Sequence, residues 1–311
     1  MRLVFDAHSH FRRFLFERYC RPPSQSLVYY GRTDGFNNSL KKSLQTRHLK
    51  TAACLIIGDE VLNGKIRDAN AYTFARFCFE AGIDLKRIEI VGDDEDEIGE
   101  AAQRFARNYD FVVTSGGIGP THDDITYRSI AKAFNVPVVL HQDTVDRMSK
   151  LRKIREPSNG EAYKAQMRMA ELPKGCNVTY PLDTSWVPVA CVSGKIYIFP
   201  GIPQLFNGLL NGLRAKILSQ IPTCQRQHRL LVATKKSESE IAPYLAELQS
   251  KVKDQNIKIG SYPHMSAGVN TVSIIGKEEF IHLMRTLVID IENHLQGQEI
   301  SMESEAKLSS M

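Results

Sequence analysis

From residue 49 onward, short apolar runs alternate with amphipathic stretches. Ala52-Ala53-Cys54-Leu55-Ile56-Ile57 is an unbroken apolar run that stops at Gly58, the pattern of a strand buried on both faces. Asp68 then stands where a helix cap belongs, and the helix it starts runs through Phe79 to a stop at Gly82. Ile88 to Val91 predicts the next strand. The acid run Asp93-Asp94-Glu95-Asp96-Glu97 suits the positive end of a helix whose apolar face is Ile98, Ala101, Ala102 and Phe105. A third strand, Phe111 to Thr114, leads into Ser115-Gly116-Gly117-Ile118-Gly119-Pro120-Thr121-His122-Asp123-Asp124, and a helix is expected from about Asp124. This alternation predicts an α/β domain on a doubly wound, mostly parallel sheet. Beyond it, segments at 230–233, 240–252, 257–262, 269–275 and 280–295 read as strand, helix, strand, strand, helix, a smaller α+β unit.

The expected organisation is a basic extension at 1–48, a main domain at 49–222, the small α+β domain at 223–297 and a disordered polar tail at 298–311. The formal charge of +5 does not alter this picture once it is divided along the chain. Residues 1–50 hold ten Lys or Arg against three acids, a net of +7, so the remainder carries −2. The body lacks the cationic stripe that nucleic acid requires, and nucleic acid is not an expected partner. No apolar run is long enough to span a bilayer, so no membrane partner is expected either. The extension is Arg- and Ser-rich with an amphipathic stretch from Phe11 to Tyr19, which suits a mitochondrial transit peptide. Asp6 and Glu17 fit that reading poorly, leaving a cytoplasmic location as the alternative. Asp6-Ala7-His8-Ser9-His10 matches the metal motif of amidohydrolase barrels, but eight βα units do not follow it, and a chance match is the better reading. The six cysteines are scattered without a CxxC pair, which argues for a reducing compartment and against zinc.

Ligands of open α/β sheets bind beyond the carboxyl ends of the strands. Three acid-bearing turns fall there: Gly58-Asp59-Glu60, Gly92-Asp93 and the loop from Gly116 to Asp124. Glycines let backbone N–H groups approach an anion, and the carboxylates can hold a hard cation such as Mg²⁺ against phosphate oxygens. Taken singly, each feature also has a plain structural use, as a chain turn or a helix cap.

The order and spacing of Ile57-Gly58-Asp59-Glu60-Val61-Leu62-Asn63-Gly64, Asp68-Ala69-Asn70, Val91-Gly92-Asp93 and Thr114 through Thr126 resemble the molybdopterin-binding (MoaB/Mog-like) fold. Within it, Ile118 and Gly260-Ser261-Tyr262-Pro263 are most similar to the branch of competence-damage-inducible proteins and the amino-terminal domain of eukaryotic FAD synthase. Phe199-Pro200-Gly201-Ile202-Pro203 resembles that family's second signature. The resemblance implies a three-layer α/β/α domain, commonly homo-oligomeric, that binds a small nucleotide or pterin and a divalent metal (Mg²⁺, Mn²⁺ or Co²⁺). It assigns Asp93 and Asp124 to metal and catalysis. Ser115, Gly116, Gly117 and Gly119 become the phosphate loop, Glu60, Asp68 and Asn70 line the same pocket, and Pro200 and Gly201 form its far wall. The implied activity is a metal-dependent pyrophosphatase acting on FAD or a related dinucleotide, with Asp123 or His122 as proton acceptor. The alternatives are nucleotide binding without turnover and a step of molybdenum-cofactor assembly. No adenylyltransferase domain follows the small α+β unit in this sequence, so FAD synthesis by this chain alone is not expected.

Overall fold

The computed structural model describes residues 49–152, 160–221 and 227–310. The transit-peptide reading, the Asp6 to His10 motif, Cys20 and Cys224 lie outside them.

The first sheet is built from β1 (Thr51–Ile57), β2 (Asp84–Val91), β3 (Phe111–Ser115), β6 (Asn177–Thr179), β7 (Val189–Val192) and β8 (Ile196–Phe199), in the order β2-β1-β3-β8-β7-β6. β2, β1, β3 and β8 are parallel, while β7 and β6 join antiparallel. A separate antiparallel pair is formed by β4 (Val138–Leu140) and β5 (Glu171–Pro173).

β1 shows why the sheet is covered on both sides. Ala52, Cys54 and Ile56 point into one core, with Phe74, Phe77, Phe206, Leu209 and Ile217. Those partners belong to α2 (Asn70–Ala81), α7 (Pro203–Gly212) and α8 (Arg214–Leu218). Ala53, Leu55 and Ile57 point into the other core, with Ile98, Ala102, Phe105 and Ile130 of α3 (Glu95–Asn108) and α4 (Thr126–Ala133). Alternate residues of one strand thus feed two cores, so an unbroken apolar run is required. The remaining helices of this part are a single turn, α1 (Asp59–Leu62), then α5 (Gln142–Arg152) and α6 (Glu161–Arg168).

The sequence-predicted caps are in place. Asp68 accepts from the N–H groups of Asn70 (2.9 Å) and Ala71 (3.2 Å), and Gly82 ends α2 in the left-handed conformation. At α3, Asp94 Oδ1 accepts from Asp96 and Glu97 N–H at 2.9 Å each. Asp94→Ala is expected to cost about 1 kcal/mol, read in thermal melts as a drop of about 2–4 °C in Tm.

The carboxyl-terminal part is a four-stranded antiparallel sheet, ordered β10-β11-β9-β12. Its strands are β9 (Gln227–Thr234), β10 (Lys258–His264), β11 (Val269–Lys277) and β12 (Gln298–Ile300). α9 (Glu238–Val252) and α10 (Ile281–Leu295) cover one face, packing Ile241, Leu245, Met284 and Ile291 on Val232, Val272 and Ile274. Across the boundary, Arg229 lies 4.6 Å over the Phe79 ring of α2, and Gln227 donates to Asp84 at 3.1 Å. The expected disordered tail is corrected here: residues 298–300 are β12, paired with β9, and Met302–Ser310 is a final helix, α11. Backbone pairing to the free edge of β9, with Glu299 held by Arg285 (2.5 Å) and its N–H by Glu292 (2.6 Å), orders a segment that has no apolar period of its own. Among the described residues no helix is long and apolar enough to cross a membrane.

Candidate functional site

The turns after β1, β3 and β8 all leave the same edge of the sheet. There they border a cleft of about 690 Å³, within the size range of small-molecule sites.

The glycine loop forms its floor. Gly116 has φ 113°, and a β-carbon there would stand 2.1 Å from the Ile57 carbonyl oxygen. At Gly117 (φ 65°) it would stand 2.2 Å from Thr126 Oγ1. The loop is tied to the first turn of α4, whose Thr126 donates Oγ1–H to Gly116 O and N–H to Gly117 O, both at 2.9 Å. α4 therefore starts two residues later than expected, and its first N–H serves the loop. Among the described residues, the N–H groups of Gly117, Ile118 and Gly119 donate to no protein acceptor. Three unpaired donors on a cleft wall suit an anion.

Asn70 brackets this floor. Its side chain, only 5% exposed, donates through Nδ2 to Ser115 Oγ and to Gly201 O, both at 2.8 Å. Ser115 Oγ–H reaches on to Pro200 O at 3.3 Å. One amide thus joins the amino end of α2 to the ends of β3 and β8.

Of the residues singled out from the sequence, Glu60, Asp68, Asn70, Ser115, Gly116, Gly117, Gly119, Asp124, Pro200 and Gly201 line the cleft. Asp93 and Asp123 do not. β2 is the edge strand, so the turn after it lies outside the β1/β3/β8 group. Asp93 there forms a reciprocal clamp, accepting from Asp59 N–H (3.0 Å) and donating its own N–H to Asp59 Oδ1 (3.3 Å). Burial lifts the Asp93 carboxyl above the usual range. The Asp59 N–H opposes this, and the carboxylates of Asp59, Glu60 and Asp123 add to it. Asp123 points to solvent, and the Thr121 hydroxyl, then its own N–H, hold it below the usual range. The expected Asp93/Asp124 pair is therefore split between the clamp and the cleft.

Asp124 folds back on its own loop, with Oδ2 accepting from Thr121 N–H (2.8 Å) and from the Thr121 hydroxyl. Its Oδ1 and both oxygens of Glu60 accept no hydrogen bond among the described residues. A divalent cation carried by phosphate needs only one or two such hard oxygen donors, so the residues fit it. Asp68 is instead engaged as the cap of α2.

Sequence reasoning missed the apolar part of the lining. Leu151, Met169, Trp186, Val187 and Leu205 border the same cleft, as do Arg67 and Tyr127. A single tryptophan in the chain was the available signal for Trp186. Leu151 and Met169 carried none, since they come from segments distant in sequence. Tyr127 Oη is buried with no partner among the described residues, and burial holds its phenol protonated. Beyond the loop a hollow of about 60 Å³ is bordered by His122, Arg128 and Arg168, the last donating to Pro120 O at 2.7 Å.

Parallel strands with helices on both faces, and a glycine loop with unpaired N–H groups at their carboxyl edge, define an α/β domain with a cleft at the ends of its strands. The chain belongs to the family described as "Probable molybdopterin binding domain", which matches residues 53–218, and residues 226–277 match "FAD synthase, middle domain". Similar curated proteins include a "Probable FAD synthase" of Caenorhabditis elegans, 28% identical over 277 residues, covering 83% of this chain and 52% of that protein. A Pyrococcus abyssi protein is 31% identical over 238 residues, covering 74% of this chain and 92% of its own length. The chain spans about half the length of the Caenorhabditis relatives it matches. Among solved structures, the protein CinA of Thermoplasma acidophilum, titled as of unknown function, is similar at 29% identity and a TM-score of 0.49, covering 54% of this chain and 98% of that one.

Proposed function

We propose that the cleft takes a phosphorylated nucleotide, and that the chain is a divalent-metal-dependent pyrophosphatase acting on FAD or a related dinucleotide. The observation that carries this reading is the pairing, in one cleft of about 690 Å³, of three unpaired loop N–H groups with a wall of apolar and aromatic side chains. A diphosphate fits the first and a planar ring the second. The relatives named as FAD synthases, and the match to that enzyme's middle domain, support flavin nucleotides as the ligand class.

Glu60 and Asp124 would hold the cation, which when bound neutralises charge on the phosphoryl oxygens. The N–H groups of Gly117, Ile118 and Gly119 take up the charge that develops as water adds to one phosphorus and the bridging oxygen leaves with the other phosphate. Neither His122 nor Asp123 lines the cleft, so the water's proton passes to solvent rather than to either side chain.

Purified protein incubated with FAD and Mg²⁺, Mn²⁺ or Co²⁺ is expected to release FMN and AMP, and Asp124→Ala to slow the release at least about tenfold. Absence of both products, or an Asp124→Ala rate equal to wild type, overturns the hydrolase. A rise in Tm with FAD but no product would leave nucleotide binding as the function.

A further inference from the structure

The apolar lining of the cleft is held in place by its own set of contacts. Trp186 is half-buried, packed both against the core around β1 and α2 and against the small cluster of Met148, Met169 and Ala170, while it still lines the cleft. It follows a turn closed by Ser185 N–H on Leu182 O at 3.3 Å, and Val187 N–H donates back to Ser185 Oγ at 3.2 Å.

Arg147 of α5 closes the mouth of that turn. Its Nη2 lies 3.5 Å from both Leu182 O and Ser185 O, and its guanidinium sits 4.3 Å over the Tyr180 ring. The Tyr180 hydroxyl is in turn fixed by Thr144 at 2.8 Å, and Thr144 by His141 Nδ1 at 2.9 Å. Thr144, Arg147, Met148 and Leu151 recur at helical spacing on one face of α5. That face ends at the cleft with Leu151. One guanidinium nitrogen shared by two carbonyls while the guanidinium plane stacks on a ring is a task for arginine rather than lysine.

Resting on the nucleotide reading above, we propose that Trp186 is the platform on which the heteroaromatic ring of the ligand stacks, and that Arg147 is the residue that positions it. Trp186 then selects for the ring and the glycine loop for the phosphates. Nucleotides carrying a large planar ring gain from both surfaces, and inorganic phosphates from one.

Because Trp186 is the chain's sole tryptophan, its emission reports directly on this surface. In the full chain, FAD is expected to quench it, and inorganic pyrophosphate to bind without quenching. Trp186→Ala is expected to weaken FAD binding, measured calorimetrically, by at least about tenfold, the scale of a lost base–aromatic stack. Pyrophosphate affinity stays unchanged, and Trp186→Phe restores most of the loss. Arg147→Ala is expected to red-shift the Trp186 emission and to weaken FAD but not pyrophosphate, with Arg147→Lys failing to rescue. Should Arg147→Ala not fold, the Trp186 pair decides the platform and Arg147→Lys the positioning. If wild type binds FAD but Trp186→Ala binds it equally well, the platform is overturned while the nucleotide reading stands. If Arg147→Ala or Arg147→Lys leaves emission and FAD affinity unmoved, the positioning role falls. If wild type binds neither FAD nor pyrophosphate, the nucleotide reading falls and takes the platform with it.

Discussion

Gly116→Ala is expected to be the most damaging single methyl group that can be added to this protein. The new β-carbon would stand 2.1 Å from the Ile57 carbonyl oxygen, a backbone atom of the central strand β1, with only 3.2 Å to its carbon. Neither neighbour is a flexible side chain that can swing away. The backbone at φ 113° also lies where an L-residue is strained by about 1–2 kcal/mol before any clash is counted. The loop must therefore lift off β1, breaking the contacts of Thr126 with the carbonyls of Gly116 and Gly117. We expect a loss of about 3 kcal/mol or more, a Tm lower by about 10 °C, and no measurable binding of FAD or pyrophosphate. A melt within about 2 °C of wild type, with binding retained, would show that the loop does not rest on β1 as described.

Asn70 is expected to give the second largest effect, and its two simplest replacements should differ in an informative way. Asn70→Ala removes the donors to Ser115 Oγ and Gly201 O, leaving a carbonyl without its partner in a nearly water-free site. It also removes the side chain's own unpaired Oδ1, so the net cost should be about 1–3 kcal/mol. Asn70→Asp keeps the shape but turns an oxygen toward the Gly201 carbonyl, and when ionised it has no hydrogen to offer. The aspartate should therefore be less stable than the alanine at neutral pH. The sign on acidification follows from linkage. The folded protein favours the protonated carboxyl, so its pKa is raised above the unfolded value, and stability returns as pH falls through that raised pKa. Denaturant titrations of both variants at pH 7 and pH 4.5 check this, and an aspartate variant that loses ground on acidification relative to the alanine would contradict the assigned orientation of the amide. Both variants should loosen the union of β3 and β8 beneath the cleft and weaken nucleotide binding.

The elements most legible in the sequence are those whose signals are local. The apolar run of β1 had to be a strand covered on both sides, because each of its residues meets a core. Asp68, Gly82 and Asp94 announced helix ends through side-chain or backbone chemistry that acts within three residues. The glycine loop was legible for the same reason, since successive glycines after a strand mark a turn whose backbone only glycine readily adopts. β12 was not, because Gln298-Glu299-Ile300 is too short to carry a period and is ordered by the edge of β9 and the contacts of Glu299.

The candidate site divides along the same line. By itself the sequence placed the turns after β1 and β3, with Glu60, Gly116, Gly117, Gly119 and Asp124, at one edge, since parallel strands bring such turns together, while Pro200 and Gly201 were assigned there through the family resemblance. Only the tertiary structure decided that Asp93 is spent in a clamp on Asp59, because that depends on β2 being the outermost strand. Only the tertiary structure, likewise, brought Trp186, Leu151 and Met169 to the same cleft as the loop. Their approach is a matter of packing between segments far apart in the chain, and packing leaves no spacing to read.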